Sequence, residues 1–471
     1  MKKYRLKITR DDFDELKRLV MIDKPKEAGA FALAGIAELG NQVDILVRRP
    51  IEIPNQLVPV QNEYHLEVSP QAINGLIALC ESNGLGAVIA HSHPEGGLSY
   101  SPSDDYGENR IANSLRNFIP TKTPVASLLF TQNDVTGRVW LPGRSKPILL
   151  DEIVVIGHYL QRIEIMKAHS EKLLEVGLYD RQVRAFGKDG QKAMSNAKVG
   201  IIGVGGTGSP IAEQLVRLGV TDIVLIDPDT FSSTNITRVY GTFFSSTRRF
   251  NFLSKYKVNL VASHLKKINP RVQIRAIKQS VVLNTVAPLL LDRDILFLCT
   301  DEHWGRSIVN QLSYQYLIPT INVGVKISSQ NGTITNAVGV LDILRPDIAC
   351  LWCKQFLRSE RISAESMPNS NRQSLLEEGY VEDLDTKEPS VISFTSSVAS
   401  SATSIFLHMF TNFMGESGNI SRISFDFLTG LSRRGITQID NNCICLKAKG
   451  KGDFIPLPLI AQSDFVKISR N

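Results

Sequence analysis

The stretch KVGIIGVGGTGSPIAEQLVRLGVTDIVLID, residues 198–227, constrains this chain more than any other. It runs from an apolar segment through a glycine-rich turn and an amphipathic stretch at 209–218 into a second apolar segment, and so reads as one strand–helix–strand unit. Two strands joined by such a crossover lie parallel, and parallel strands need cover on both faces. Three more apolar segments continue the pattern, VQIRAI (272–277), DILFLC (294–299) and TINVGV (320–325), with helical spacing between them. The prediction is an α/β domain with a mostly parallel, doubly wound sheet. A helix over about 391–414 and strands over about 421–428 and 434–446 close the chain. Residues 354–390 are poor in apolar positions and read as a long surface loop.

Ahead of residue 160 the rhythm differs. AGAFALAGIAEL (28–39), VDILVR (43–48), GAVIA (86–90), PVASLLF (124–130), GRVWL (137–141) and EIVVIG (152–157) read as strands. SPQAINGLIALCESN (69–83) reads as a helix that Ser69 can cap, and a second helix follows Ser101. Helical spacing resumes at about 158 and runs towards 195. These patterns predict a mixed-sheet domain over 1–160, a linker and entry helix over 161–195, and a second domain over 196–471 with 354–390 as a crossover loop. A length of 471 residues suits that division, and 43% apolar with 21% charged residues excludes a disordered or fibrous chain. Lysine and arginine number 53 against 47 aspartates and glutamates; a net charge of +6 over this length does not argue for nucleic acid. No apolar run approaches the roughly 20 residues that cross a bilayer. MKKYRLKITRDDFDELKRLV never reaches the apolar core of a signal peptide, so the expected location is the cytoplasm, with no membrane partner.

Within HSHPEGGLSYSPSDD (91–105), His91 and His93 leave an apolar strand one residue apart and project to one side, where both can reach one metal ion. Asp104, in the first turn of the next helix, can supply a third ligand and leave a fourth position for water. Glu27, in KPKEAGAFALAG, enters an otherwise apolar strand, a costly place for a carboxylate without a task. The combination of an early glutamate, H-x-H-P, six residues and S-x-x-D resembles the JAMM/MPN metalloproteases over residues 1–157. That resemblance implies a catalytic zinc on His91, His93 and Asp104, Glu27 as the general base on the activated water, and Ser101 steadying the oxyanion. It also implies cleavage after the C-terminal glycines of a ubiquitin-like protein. Asp105 is a rival ligand, but only Asp104 has the family spacing.

The second constellation starts at GVGGTGS (203–209), where Gly203, Gly205, Gly206 and Gly208 let backbone amides and a helix N-terminus approach phosphate. Asp227 would suit the ribose of a nicotinamide dinucleotide equally well, which keeps a dehydrogenase as an alternative. Next along the chain come Asp227, Asp229, Asn235 and Arg238 in DPDTFSSTNITR, then Lys257 in SKYKV and Asp301 in FLCTD. With YDRQVRAFG (179–187) ahead of it, this series resembles the ThiF/HesA and ubiquitin-activating adenylating enzymes over residues 175–471. The resemblance implies a Rossmann-like homodimer that uses ATP and Mg²⁺. In it Asp227 would bind ribose, Asn235, Arg238 and Lys257 the triphosphate, and Asp301 the magnesium, with Arg181 reaching the partner's nucleotide. A carboxylate attacking an α-phosphate builds charge that such a clamp disperses.

Cys350 and Cys353, in ACLWCKQ, have the gap that lets two thiolates grip one Zn²⁺, and Cys443 and Cys445, in NNCICLK, can complete a four-cysteine site. The family's second pair has a two-residue gap, so the single residue between Cys443 and Cys445 is a departure. Cys80 and Cys299 read as small buried apolar residues. Conjugating activators carry a cysteine nucleophile in the crossover region, whereas KEPSVISFTSSVASSATS (387–404) has none. The acyl group would then pass to an outside thiol or sulfur donor, or to Ser390 or Ser393, or would not be transferred. Together the two resemblances imply a bifunctional enzyme of a ubiquitin-like pathway, a peptidase joined to an activator of the same tail. The rival readings are a sulfur-carrier adenylyltransferase, a tail-binding receptor without turnover, and the dehydrogenase.

Overall fold

The computed structural model describes residues 2–120, 123–166, 177–247, 256–367 and 389–457. They form two compact units, the first made of residues up to 166 with Gln315–Leu317 and Ala448–Pro456, the second of the remaining described residues.

In the first unit the chain runs β1 (Lys3–Thr9), α1 (Arg10–Met21), β2 (Gly29–Leu39), β3 (Gln42–Glu52), β4 (Val60–Gln61), β5 (Leu66–Glu67), α2 (Pro70–Asn83) and β6 (Gly86–Ser92). It continues through α3 (Pro102–Leu115), β7 (Val125–Phe130), β8 (Val135–Trp140), β9 (Ile148–Leu149), β10 (Glu152–Ile156) and β11 (Leu160–Glu164). Nine strands make one mixed sheet in the order β11-β10-β1-β3-β2-β6-β7-β8-β9. Strand period puts Ala30, Ala32 and Ala34 of β2 in the core under α1, and Phe31 and Leu33 in the core under α2 and α3. Ser69 caps α2 through the Ala72 amide, as its position predicts.

Two readings need correction here. The helical spacing placed from about 158 begins instead with strand β11, antiparallel to β10. The first residues, read only for a missing signal peptide, form β1 and α1. β1 buries Tyr4, Leu6 and Ile8 on one face, yet Arg5 and Lys7 on the other are buried too. Arg5 donates to both Asp44 oxygens at 2.9 and 2.7 Å, and Lys7 lies 3.0 Å from the same carboxylate.

The second unit contains α4 (Asp180–Asn196), β12 (Lys198–Ile202), α5 (Gly208–Arg217), β13 (Asp222–Ile226), α6 (Lys257–Ile268), β14 (Gln273–Ile277), β15 (Ile295–Leu298) and α7 (His303–Gln315). β16 (Thr320–Gln330), β17 (Thr333–Leu344), α8 (Ser359–Ser366), α9 (Ile392–Thr411), β18 (Arg422–Asp426), β19 (Leu431–Gly435) and α10 (Ile444–Ala448) follow. The sheet order is β14-β13-β12-β15-β16-β17-β18-β19, with parallel pairing from β14 to β16 and an antiparallel meander beyond. The order reverses at β12, so the carboxyl ends of β12 and β15 flank the crevice where open α/β sheets bind ligands. A core of Ile201, Leu225, Phe297, Ile211, Leu265 and Phe406 joins strands to α5, α6 and α9.

The strand placed at 434–446 is corrected to β19, which ends at Gly435, and helix α10, which starts at Ile444. Asp440, Asn441 and Asn442 break the extended pattern between them, with the Asn442 amide donating to Asp440 Oδ1 as in an Asx turn. β17 was not anticipated, and α8 lies inside the segment read as a loop. Residues 368–388 of that segment lie outside the described residues.

Candidate metal centre and nucleotide loop

β6 is buried along its whole length and delivers His91 to its end. Its register with β2 sets Gly29 opposite His91, which brings Glu27 alongside. The short β4–β5 ribbon fixes Glu27 by its main chain: its amide donates to Asn62 O at 2.9 Å and its carbonyl accepts from Gln61 Nε2 at 3.0 Å. From the other side, a capping box opens α3. Ser101 Oγ accepts from the Asp104 amide at 3.1 Å, and Asp104 Oδ2 accepts from the Ser101 amide at 2.6 Å.

These supports bring four predicted residues together. Asp104 Oδ1 lies 3.5 Å from His91 Nε2, and Asp104 Oδ2 lies 3.4 Å from His93 Nε2. Glu27 Oε1 lies 3.4 Å from the same His93 nitrogen. Bonds of about 2.0–2.2 Å in a tetrahedron hold ligand atoms roughly 3.3–3.6 Å apart, so the measured separations suit one small cation. His91, His93 and Asp104 each offer an atom within 4.8 Å of the others, and the buried His91 Nε2 has no hydrogen-bond partner. Burial opposes ionisation of Asp104, but the nearness of the His91 and His93 imidazoles outweighs it and holds the carboxyl well below its usual range. The Glu27 carboxyl is pushed up by burial, against the pull of His93 and His91. Asp105 turns away to pair with Arg138, leaving Asp104 at the centre.

In the second unit, Gly203 follows β12 at φ +86°, where a Cβ would stand 2.8 Å from the Cys299 backbone. At Gly208, where α5 begins, a Cβ would overlap the Gly203 carbonyl oxygen. Gly205 faces open space, and Gly206 is bordered by Arg238, Thr395 and Ser390. Asp227 follows β13 directly and holds the loop in shape, accepting from the Val204 and Asp229 amides at 2.9 Å each. Burial raises its carboxyl, with Lys257 opposing. Lys257, at the start of α6, pairs with Asp229 at 2.6 Å. Asn235 is buried and accepts from the Ser232 amide at 2.9 Å, shaping the turn that leads to Arg238. Asp301 is exposed beyond the end of β15, and Arg181 is exposed in the first turn of α4.

Sequence reasoning missed Arg306 of α7, five residues after Asp301. It is buried, stacks 4.8 Å from the Phe356 ring centroid, and leaves Nε without a hydrogen-bond partner. A lone arginine in a helical pattern carries no signal of that burial.

Three thiols converge beside Tyr314. Cys350 Sγ lies 3.4 Å from Cys443 Sγ and 3.8 Å from Cys353 Sγ, far beyond a disulfide bond of about 2.05 Å. Cys445 borders the same small cavity but stands outside this mutually close set, accepting from Asn310 Nδ2 at 3.0 Å. The one-residue gap follows from α10, which begins between the two cysteines. Cys350 pulls the Cys443 thiol far down, while Cys443 pushes Cys350 up to about 12. Burial alone raises Cys80 to about 12, as fits its place in the core, and is the chief cause of the same rise at Cys299, which is half-buried beyond the end of β15 rather than fully buried as expected.

The ThiF family model matches residues 179–443. Molybdopterin-synthase adenylyltransferase of Escherichia coli (strain K12) is 30% identical over 146 residues, 31% of this chain and 56% of that protein. The tRNA threonylcarbamoyladenosine dehydratase of Bacillus subtilis (strain 168) is 35% identical over 100 residues, 21% and 37% of the two chains. The adenylyltransferase and sulfurtransferase uba4 of Emericella nidulans is 31% identical over 134 residues, 28% and 27%. The chain spans about half or less of the length of these relatives. Among solved structures, E. coli MccB with ATP aligns with a TM-score of 0.45 and 19% identity, over 57% of this chain and 74% of that one. The family match takes in the glycine loop, Asp227, Lys257, Asp301 and Cys350, Cys353 and Cys443, more than half of the 471 residues, and this chain is therefore a member of the ThiF family.

Proposed function

We propose that this protein is a bifunctional enzyme acting on the glycine-ended tail of a ubiquitin-like protein. Its first unit would be a JAMM-type zinc peptidase and its second an ATP-dependent adenylating domain. The observation that carries the first half is the convergence of His91, His93 and Asp104 at tetrahedral spacing, with Glu27 3.4 Å from His93 Nε2. Two imidazoles, one carboxylate and an unpartnered buried His91 Nε2 fit zinc. Zinc held there supplies Lewis-acid activation of a water and of the scissile carbonyl. Glu27 takes the proton of the attacking water and passes it to the leaving amine, a duty helped by the burial that raises its carboxyl. Ser101 Oγ accepts from the Asp104 amide and lies 2.8 Å from Ser103 Oγ, and its hydroxyl proton would turn to the developing oxyanion.

For the second half, relatives named adenylyltransferases and the loop geometry support activation of the trimmed carboxylate. The carboxylate attacks the α-phosphate of ATP, giving an acyl-adenylate and pyrophosphate. The Gly203–Gly208 loop and the N-terminus of α5 would bind phosphate, Asp227 the ribose, Asn235, Arg238 and Lys257 the triphosphate, and Asp301 the magnesium. Arg181 would act across a homodimer. Cys350, Cys353 and Cys443, with Cys445 beside them, would hold a structural zinc. With no cysteine in 387–404, acyl transfer goes to a thiol on a separate conjugating protein or to a sulfur donor.

The test mixes the full-length protein with ATP, Mg²⁺ and a ubiquitin-like protein extended beyond its terminal glycines, and weighs the products by mass spectrometry. Loss of the extension followed by an acyl-adenylate supports the reading. A tail that is neither trimmed nor adenylated overturns it. The relatives named molybdopterin-synthase adenylyltransferase and sulfurtransferase favour a sulfur-carrier pathway as the second reading, which a thiocarboxylate terminus, in place of isopeptide-linked products, would establish.

A further inference from the structure

Glu108 stands one turn of α3 beyond Asp104, only 4% exposed, and the proposed chemistry does not use it. Its Oε2 accepts from Ser127 Oγ at 2.7 Å, from Arg138 Nε at 2.8 Å and from Trp140 Nε1 at 2.8 Å. Arg138 is its counter-charge, and it stacks 3.6 Å from the Tyr100 ring centroid. This arrangement accounts for one carboxylate oxygen and not the other. Oε1 is buried, has no hydrogen-bond partner, and lies 3.7 Å from His91 Nδ1. On the far side of the same imidazole, Nε2 is also buried without a hydrogen-bond partner.

Two unsatisfied atoms on opposite edges of one ring share a single explanation. A neutral imidazole carries one proton, and the nitrogen without it is the one that can ligate a cation. If the proton sits on Nδ1, it points at Glu108 Oε1 and Nε2 is free for the metal. We infer that Glu108 is a positioning residue of the metal centre: by accepting the Nδ1 proton of His91 it fixes the tautomer and presents Nε2 to the cation. The inference rests on the metal-centre reading of the proposed function. The 3.7 Å gap is close enough that a small rotation of the ring would bring it to an ordinary bond of about 2.8–3.0 Å. Three donors on Oε2 keep the carboxylate from following the ring, so the acceptor is in place beforehand.

The experiment uses the full chain and measures zinc affinity by competition with a chromophoric chelator, beside the thermal midpoint of the metal-free protein. In Glu108→Gln the amide oxygen can still accept the three donors, but its NH₂ faces His91 Nδ1 and selects the wrong tautomer. Affinity should fall about 10–100-fold with the metal-free midpoint little changed. Ser127→Ala, which removes one of the three donors from Oε2 and leaves Oε1 in place, should lose less zinc affinity than Glu108→Gln. A measurement on the wild type covers the case in which the glutamine variant does not fold: ¹⁵N-histidine NMR of the zinc-loaded protein should show His91 protonated at Nδ1 and ligated through Nε2. The opposite tautomer, or wild-type affinity in Glu108→Gln, overturns the inference while leaving the metal centre intact. Wild-type protein whose zinc content is unchanged by His91→Ala and His93→Ala overturns the metal-centre reading itself and the inference with it.

Discussion

Replacing Glu27 with glutamine isolates the chemistry of the first site from its architecture. The main-chain bonds that place residue 27, to Asn62 and Gln61, survive the change, and the amide has nearly the size of the carboxyl. Glu27 is not one of the three residues that converge as a metal set, so zinc content should stay at the wild-type level. The change removes a proton acceptor 3.4 Å from His93 Nε2, beside the position a cation would take. General-base assistance contributes about 10²–10⁴-fold, and at 1.36 kcal/mol per decade that is roughly 3–5.5 kcal/mol of barrier. The assay is release of a fluorophore linked through the terminal glycine of a ubiquitin-like tail, with zinc measured in the same samples. The pH profile adds an independent sign. A base with a raised pKa works only when ionised, so wild-type activity should fall on the acid side through a pKa above the usual glutamate value. The glutamine variant should lack that limb. Glu27→Gln protein that retains zinc and cleaves at the wild-type rate would falsify the assignment.

Asp301→Ala should reduce ATP–pyrophosphate exchange by about 10²-fold or more while leaving tail cleavage unchanged; unchanged exchange removes Asp301 from the nucleotide site. Zinc analysis should separate one ion that a chelator strips readily from one that resists, with Cys443→Ser losing the resistant ion and His93→Ala the labile one. Equal loss of both from either variant contradicts two independent sites. Asp44→Asn should destabilise the first unit by about 3 kcal/mol, since Arg5 and Lys7 then lose the buried carboxylate they share, and Glu152, 3.5 Å from Arg5, stands in for only part of it. Burial would raise the Asp44 carboxyl, but Arg5 and Lys7 overcome it and hold it well below the usual range. Its contribution is therefore complete above the unfolded value near pH 4 and is lost as pH falls towards the folded one. Urea denaturation between about pH 2 and 6 should show a steeper acid loss in wild type than in Asp44→Asn; parallel curves refute the argument.

The features that could be read from the sequence are those whose parts lie close together along it. The β12–α5–β13 unit announces itself because buried parallel strands are apolar throughout and the turn between them admits glycine where a Cβ would strike backbone. Ser101 and Asp104 are legible for the same reason, since a capping box is a three-residue spacing that both starts α3 and aims the carboxylate. β1 hid itself by alternating Arg5 and Lys7 with Leu6 and Ile8, which reads as a solvated face. The carboxylate that lets those charges be buried is Asp44, on another strand 39 residues from Arg5. Glu108 is obscure in the same way. On α3 it is one acid among several, and its meaning comes from Ser127, Arg138 and Trp140 on β7 and β8 and from the facing edge of His91. The groups that would perform the chemistry sit at strand ends and helix starts, where short motifs write them plainly. The groups that hold them in register are contributed across the sheet, and only folding collects them. A motif of five residues in register can therefore point to a candidate metal centre while leaving its protonation unread, and in the arrangement proposed here that protonation turns on which nitrogen of His91 keeps its hydrogen.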